Sequence, residues 1–295
     1  MDFLSSIVGS INDVLWSYVL IILLVGCGLW FSARTGFVQI RHMGEMFRLL
    51  GDGSAHKARE GHISTFQAFC VSTASRVGVG NIAGIAIAVV VGGPGAVFWM
   101  WVIAILGAAT GFVESTLAQI YKAPRKGGGY VGGPAYYIGN VLGSPFFAWL
   151  FAVLLAVTYG LIFNSVQSNT IALSLKTSLS ADPWYTGLVI AVLTGLVIFG
   201  GLTRIAKVVG MLVPVMAGAY LLVALIVTVM NITLVPDVLK LIVSSAFSFD
   251  SAMGAGFGLA VMTGVKRGLF SNEAGMGSVC LLYTSPSPRD YAASR

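Results

Sequence analysis

The chain has 295 residues, of which 57% are hydrophobic and only 9% are charged. A soluble globular domain carries about 25% charged residues, so this composition excludes a soluble protein and predicts an integral membrane protein embedded in a lipid bilayer. The formal net charge of +6 does not indicate a nucleic-acid partner. The cations form short clusters between apolar stretches, rather than a continuous basic patch with interleaved aromatic residues.

Seven apolar stretches are long enough to cross a bilayer, which requires roughly 20 residues in helical conformation. They are Leu15–Phe31, Thr65–Val91, Ala96–Tyr121, Phe146–Leu175, Trp184–Gly200, Val208–Met230 and Val238–Gly264. The segment Phe37–Leu50 is too short and too charged to span, and its apolar residues recur at helical spacing, which predicts a helix in the membrane interface. The sequence therefore predicts an all-α membrane protein with seven transmembrane helices.

The basic residues are distributed unequally between the two sides of this predicted bundle. Twelve lysines and arginines fall in the connections on one side, whereas only Lys176 and Lys240 fall on the other. Because cytoplasmic loops are enriched in Lys and Arg, the first side is predicted to be cytoplasmic. We therefore expect a multi-pass protein of the plasma (inner) membrane with its N-terminus outside.

The stretch RVGVGNIAG, Arg76 to Gly84, interrupts the second predicted span. A dinucleotide-binding loop would need a preceding strand and an acidic residue about 20 positions on, and neither is found. Gly80 and Gly84 form a G-x-x-x-G pattern, which would fit close helix packing alone. Arg76 and Asn81, however, place polar groups at bilayer depth, where they are costly without partners. We favour a discontinuous helix, whose freed carbonyls can coordinate a cation while the new helix N-terminus faces an anionic group.

Further polar residues occur inside other predicted spans. Asn164 and Gln167 are three residues apart and share a helix face, either lining the same cavity or forming interhelical hydrogen bonds. Glu114 is the one carboxylate well inside the third span. We expect it to be a structural partner for Arg76 or for backbone amides, with a proton or cation site as the alternative.

The seventh predicted span is interrupted as well. Its middle contains a cluster of small and polar residues: Asp250, Ser251, Gly254, Gly256 and Gly258. Two interrupted spans indicate a transporter whose site lies near the bilayer midplane, although a channel would also tolerate irregular backbone around water. An enzyme is disfavoured, because no nucleophile–base pair is visible and the three histidines all fall in one cytoplasmic connection.

Three longer stretches resemble the alanine/glycine:cation symporter family. They are RVGVGNIAGIAIAVVVGGPGAVFWMWVIAILGAATGFVESTLAQIY, GGPAYYIG and GVKRGLFSNEAGMGS, and the resemblance extends over Leu15 to Ser278. It implies sodium-coupled uptake of alanine or glycine by alternating access, with sodium as the coupling ion and no other cofactor. It also implies a partial LeuT-like inverted-repeat fold, comprising an extra N-terminal helix, repeat one and the start of repeat two. The alternatives left open are an uncoupled channel and a proton-coupled amino-acid carrier.

The resemblance also suggests site residues. Those that would contact the substrate are Gly78, Val79, Gly80, Asn81, Phe163, Asn164, Gln167 and Phe247. The first four resemble an unwound segment, and the two phenylalanines are candidates for walls that restrict side-chain size. The sodium ion is assigned to Gly78 and Asn81. A structural role in the membrane is expected for Arg76, Glu114 and Asp250. Asn272 and Glu273 are expected to cap a following helix.

The sequence departs from the family pattern after Ser278. The run CLLYTSPSPRD, Cys280 to Asp290, resembles the translation of a transposase sequencing adaptor, and the alternative is a genuine polar tail. We therefore expect residues 1–278 to be a partial symporter transmembrane domain and residues 279–295 to be a non-native read-through tail. A chain truncated in this way would lack four spans and would not transport by itself.

Overall fold

A computed structural model describes residues 2–48, 65–124, 130–248, 257–278 and 280. Most of these residues are helical. The helices are α1 (Asp2–Val14), α2 (Leu20–Arg34), α3 (Val38–Arg41), α4 (Thr65–Arg76), α5 (Val79–Gly92), α6 (Gly95–Ile120), α7 (Pro134–Val141), α8 (Pro145–Val157), α9 (Asn164–Leu179), α10 (Pro183–Ile198), α11 (Gly201–Met230), α12 (Val235–Ala246) and α13 (Phe257–Asn272). Residues 43–48 are helical as well.

Two pairs of these helices are joined without interruption by a wider, π-helical turn. Leu15–Val19 connects α1 to α2, and Thr158–Phe163 connects α8 to α9. The results are the long helices Ser5–Arg34 and Pro145–Leu179, with 30 and 35 residues. Both exceed the roughly 20 residues that a bilayer requires, so each is long enough to cross it.

The structure supports a helical membrane protein, but it does not establish seven spans. Within the described residues, four helices are long and apolar enough to cross a membrane, or five if the bent pair α4–α5 counts as one span. Helix α10 is apolar but has only 16 residues. The described parts of the seventh predicted span belong to α12, which ends at Ala246, and α13, which begins at Phe257. Most residues of the predicted interruption lie outside the described ranges, and Gly258 is helical.

The chain divides into two compact units. The first contains Met1–Met43, Gly80–Val113 and Tyr220–Gly275. Its packing centres on α6 and α13, where Ile103 contacts Val265 and Leu269, and side chains of α2 pack around this cluster. A second small cluster joins Ala88 of α5 to Ala96 and Met100 of α6. The first cluster consists of large aliphatic side chains, whereas the alanines of the second let α5 and α6 approach each other closely, as is usual for small residues between helices in lipid.

The second unit contains Gly44–Val79, Glu114–Ala219 and Met276–Arg295. Here α4 packs on α11 through Ala68 and Ala206, which are both almost fully buried. Helix α10 begins after Asp182, whose carboxylate accepts a hydrogen bond from the Trp184 N–H at 2.8 Å and so caps the helix N-terminus. Large apolar side chains elsewhere in this unit are exposed and form a surface suited to lipid, such as Leu161 and Phe199.

Two local features differ from the sequence-based expectations. The connection after α6 forms a short antiparallel ribbon, in which β1 (Ala123–Pro124) pairs with β2 (Tyr130–Val131), so the fold is not purely helical. The segment predicted as one interfacial helix, Phe37–Leu50, instead forms two short pieces, because α3 ends at Arg41 and helical structure resumes at residue 43.

Candidate functional site

The helix pair α4–α5 has the break that the sequence predicts. Helix α4 ends at Arg76 and α5 begins at Val79, with a bend of 40° between them. The last helical hydrogen bond before the break runs from the Val77 N–H to the Thr73 carbonyl at 2.8 Å. The non-helical segment is shorter than the family resemblance implies, because Val79, Gly80 and Asn81 already belong to the first turn of α5.

The first N–H group of α5 is bonded by a side chain from another helix. The Val79 N–H donates to Oε1 of Gln167, on α9, at 3.1 Å. The first four N–H groups of a helix have no intrahelical acceptor, so a new helix start inside a membrane needs a partner of this kind. The neighbouring Gly78 lies directly against the Gln167 carboxamide, and a Cβ at that position would collide with it. Glycine is therefore required here for the close approach of Gln167.

The other residues predicted around the break lie at its two ends. Arg76 is half-buried at the end of α4, and Asn81 is half-buried in the first turn of α5. Gly80 faces the ring of Phe270, whose Cε1 would lie 2.9 Å from an added Cβ. The hydroxyl of Ser271 donates to the Gly80 carbonyl at 3.3 Å. The start of α5 is therefore contacted by the end of α13, a contact that sequence reasoning missed.

The structure places the remaining residues of α8–α9 differently from Gln167. Asn164 is exposed, and its Nδ2 donates to the Gly160 carbonyl of its own helix at 3.1 Å. Phe163 stacks edge-on against Tyr159, with ring centroids 5.0 Å apart. Of these two predicted residues, Gln167 contacts the break between α4 and α5, whereas the side-chain amide of Asn164 bonds a carbonyl of its own helix.

An aromatic cluster flanks the second interruption. Phe247 follows the end of α12 and packs edge-on against Phe98 at 5.1 Å and against Trp99 at 5.9 Å between ring centroids. The Trp99 indole N–H donates to the Ala246 carbonyl at 3.2 Å, one of the carbonyls without an intrahelical partner at this helix end. Trp99 was not predicted, although its motif GGPGAVFWMW contributes to the family resemblance. Asp250 lies outside the described residues.

Glu114 is bonded to a backbone amide, one of the partners considered for it. The residue is 7% exposed, and its Oε1 accepts a hydrogen bond from the Gly277 N–H at 3.1 Å. Gly277 has a φ of 85°, in the left-handed region that favours glycine, so another residue at this position would strain the turn. The arrangement ties the segment after α13 to the end of α6.

Two titratable groups outside the spanning helices lie near this carboxylate. Burial, reinforced by the nearby Glu114 charge, raises the pKa of the Cys280 thiol to about 12. Burial also raises the pKa of Tyr137, with smaller contributions from Cys280 and Glu114. Both groups are therefore neutral at physiological pH, and the Cys280 thiol lies 3.7 Å from the Glu114 carbonyl oxygen.

These features together define a multi-span helical membrane protein with an interrupted helix whose first amide is bonded by a polar side chain. Interrupted helices of this kind are characteristic of membrane transporters. The sequence model of the sodium:alanine symporter family matches residues 1–290. The chain belongs to this family.

Curated relatives agree with this assignment. The chain is 52% identical over 275 residues to the probable sodium/glutamine symporter GlnT of Bacillus subtilis (strain 168), covering 93% of the chain and 57% of that protein. It is 49% identical over 277 residues to the amino-acid carrier protein AlsT of the same organism, covering 94% and 58%. It is 48% identical over 275 residues to the putative sodium/proton-dependent alanine carrier protein YrbD, again from that organism, covering 93% and 56%.

The chain thus spans a little over half the length of these relatives. They are transporters, and this confirms the prediction that the chain is not an enzyme.

Proposed function

We propose that this chain forms part of a sodium-coupled symporter that carries a small amino acid, alanine or glycine, across the plasma membrane by alternating access. Family membership supports sodium-coupled amino-acid transport, and the names of the relatives agree with it. The structural observation that carries the proposal is the bond from the Val79 N–H to the Gln167 side-chain oxygen.

In this proposal the start of α5 binds the substrate carboxylate. A helix N-terminus carries a partial positive charge and presents N–H groups without intrahelical acceptors. The amide oxygen of Gln167 accepts from the Val79 N–H at 3.1 Å, and a carboxylate oxygen would form the same kind of hydrogen bond more strongly. A bound substrate would therefore compete with Gln167 for this donor, while the freed carboxamide stays within reach of the substrate.

The proposal assigns sodium to the Gly78 carbonyl and the Asn81 side chain. The segment from Thr65 to Gly92 contains no aspartate or glutamate, so a cation there would be coordinated by neutral oxygens of this segment. A sodium ion and a substrate carboxylate would neutralise each other at a depth where an isolated charge is costly. Mutual neutralisation gives a physical reason for the two to bind together.

Substrate choice between alanine and glycine is also proposed rather than established. One relative is named for glutamine and another for alanine. Phe163 and Phe247 are proposed as walls that limit the substrate side chain. Replacing either with alanine should allow larger amino acids to compete with alanine uptake, and unchanged competition by glutamine would remove that residue from the size filter.

We further propose that the described helices belong to a seven-span part of a LeuT-like fold, with the N-terminus outside, in a domain ending at residue 278. The family match extends to residue 290 and therefore includes part of the predicted read-through tail. A long sequencing read of the source gene across the Ser278 codon tests this division. A frame that continues into further apolar spans supports it, and a genomic copy of the tail overturns it.

The transport proposal is tested in lipid vesicles that contain the protein of the complete reading frame recovered by that read. Accumulation of labelled alanine above its external concentration, driven by an inward sodium gradient, is the expected result. Replacing sodium with potassium should abolish it. Accumulation driven equally well by a proton gradient without sodium would favour proton coupling, and flux that never exceeds equilibrium would indicate a channel.

A further inference from the structure

Helix α13 ends with the segment Phe270–Asn272. Ser271 and Asn272 begin the motif SNEAGMGS, and Phe270 directly precedes it. The proposed transport function gives this motif no role. Asn272 anchors the segment to α6. Its Nδ2 donates to the Ile103 carbonyl at 3.4 Å. The carboxamide also lies directly against Gly107, where an added Cβ would overlap it. The end of α13 is thus held against α6 at two points one helical turn apart.

The same segment contacts the start of α5. The Ser271 hydroxyl donates to the Gly80 carbonyl at 3.3 Å, and the Phe270 ring is so close that a Cβ added at Gly80 would lie 2.9 Å from its Cε1. Further along, Gly92 approaches Thr263 so closely that an added Cβ would lie 2.8 Å from the Thr263 Cβ. Helix α13 therefore runs antiparallel to α5 and contacts α5 near its first residue and at its last.

The hydrogen bond of Ser271 differs from those of other hydroxyl groups in these helices. Serine and threonine in membrane helices commonly bond the preceding turn of their own helix. Ser10, Ser165, Thr170, Thr177 and Thr228 all do so here. Ser271 instead bonds a carbonyl 191 positions away along the chain. Its hydroxyl is therefore used to hold another helix.

We propose that Ser271 is a positioning residue for the first turn of α5. Gly80 lies between Val79 and Asn81, which the proposed function assigns to the substrate and to sodium, so this inference rests on that function. A helix that starts at a break lacks a preceding turn to hold it, and its first turn therefore depends on contacts from neighbouring elements. Ser271 acts through Gly80 and does not itself touch the transported species.

The positioning role is tested by cysteine labelling of the 295-residue chain in detergent, a measurement that needs no transport. The chain carries Asn81→Cys as its one thiol, with Cys27, Cys70 and Cys280 replaced by alanine. Ser271→Ala should increase the rate of maleimide labelling at position 81 about fivefold, the factor expected when one hydrogen bond that limits local opening is lost. Ser271→Thr, which keeps the hydroxyl, should restore the original rate.

Two controls separate local positioning from general loss of structure. Ser10→Ala removes a hydroxyl that bonds its own helix and should leave the rate at position 81 unchanged. In a second background that keeps the buried Cys70 of α4 as the one thiol, Ser271→Ala should leave the labelling rate of Cys70 unchanged. Equal rates at position 81 with and without Ser271, failure of Ser271→Thr to restore the rate, or a parallel increase at Cys70 would each overturn the proposal.

The transport assay distinguishes this inference from the function on which it rests. In vesicles, Ser271→Ala should raise the sodium concentration for half-maximal uptake about fivefold, while a purely structural defect would lower the maximal rate at unchanged sodium dependence. An absence of sodium-driven uptake in the unsubstituted protein, together with the labelling change, would overturn the proposed function and leave the positioning of α5 intact. Unchanged labelling with normal uptake would overturn the positioning role alone.

Discussion

Helix α6 and the long helix Pro145–Leu179 are both apolar enough to cross a membrane, yet they differ in packing. In the most apolar stretch of α6, 28% of the residues are buried, whereas the corresponding stretch of Pro145–Leu179 has none. Helix α6 is met by glycines of α13: Gly264 lies against Trp99 and Gly268 against Ile103. The long helix presents large side chains to its surroundings instead, such as Phe146 and Leu154.

This difference shows that apolar content and helix packing are separate properties in a membrane protein. Lipid tails are as apolar as leucine, so apolar surface alone gives two helices no reason to associate. Close contact requires small residues that let the backbones approach, and these are present where α6 meets α13. Substitutions in the two regions should therefore have very different consequences.

The largest expected effect is at Gly264, within the contact between α6 and α13. In Gly264→Ala the added Cβ would lie 2.7 Å from the Trp99 Cβ and would also collide with the Ala96 carbonyl. Overpacking of this kind costs about 1–3 kcal/mol. The thermal midpoint in detergent should fall by roughly 5 °C. Gly258→Ala on the same helix is the matched control, since none of the described residues has an atom within 4 Å of a Cβ added there. Equal midpoints for the two variants would contradict the account.

Gly78→Ala should have the next largest effect, on transport rather than on folding. The new methyl group would occupy the place of the Gln167 carboxamide, which is the end of a flexible side chain and can move away. We expect a loss of about tenfold in sodium-driven uptake at an unchanged amount of folded protein, since the methyl group displaces the Gln167 carboxamide from the site and narrows the space for the substrate. Gly187→Ala is the control, since in the described part of the chain no atom lies within 4 Å of a Cβ added at that position. Normal uptake by Gly78→Ala would argue against a site at this break.

Gln167→Ala should have a smaller effect, because it removes the carboxamide that is proposed to stay within reach of the bound substrate, without adding volume. The expected change is an increase of about fivefold in the substrate concentration for half-maximal uptake, corresponding to the loss of a single hydrogen bond. Ser168→Ala, whose hydroxyl bonds the Ser165 carbonyl of its own helix, is the control. If both variants keep the original half-saturation, Gln167 is a packing residue only.

The smallest effect is expected for a substitution on the exposed long helix Pro145–Leu179. Leu154 is 57% exposed on α8, so Leu154→Ala leaves no buried cavity. Its unfolding free energy in the same detergent should change by less than about 0.5 kcal/mol. A loss as large as that of Gly264→Ala would mean that this helix packs against other parts of the protein as tightly as α6 does.

The sequence predicted the features that depend on local composition. The break after Arg76 was predicted from the cluster of glycine and polar residues, and the structure has a break there. This prediction agrees with the structure because glycine and buried polar groups weaken a helix wherever it packs. The second interruption stays a prediction, because Asp250 and most of its other residues lie outside the described ranges.

Features that depend on distant contacts were not predictable from the sequence. Ser271 reaches Gly80 across 191 positions, and no periodicity in the chain indicates this contact. The bond from the Asn272 Nδ2 to the Ile103 carbonyl was also not predicted, since the sequence suggested only a cap on a following helix for this residue. The short ribbon at Tyr130 was also missed, since its strands are only two residues long.

The most direct test of the central claim concerns Asn81. Sodium-driven accumulation of alanine is compared in vesicles that contain equal amounts of the unsubstituted protein and of Asn81→Ala, both with the complete reading frame. We predict that the unsubstituted protein accumulates alanine above the external concentration and that Asn81→Ala does not, because its sodium site lacks the amide oxygen. Accumulation by Asn81→Ala at the original rate and with the original sodium dependence would contradict the assignment of sodium to the start of α5.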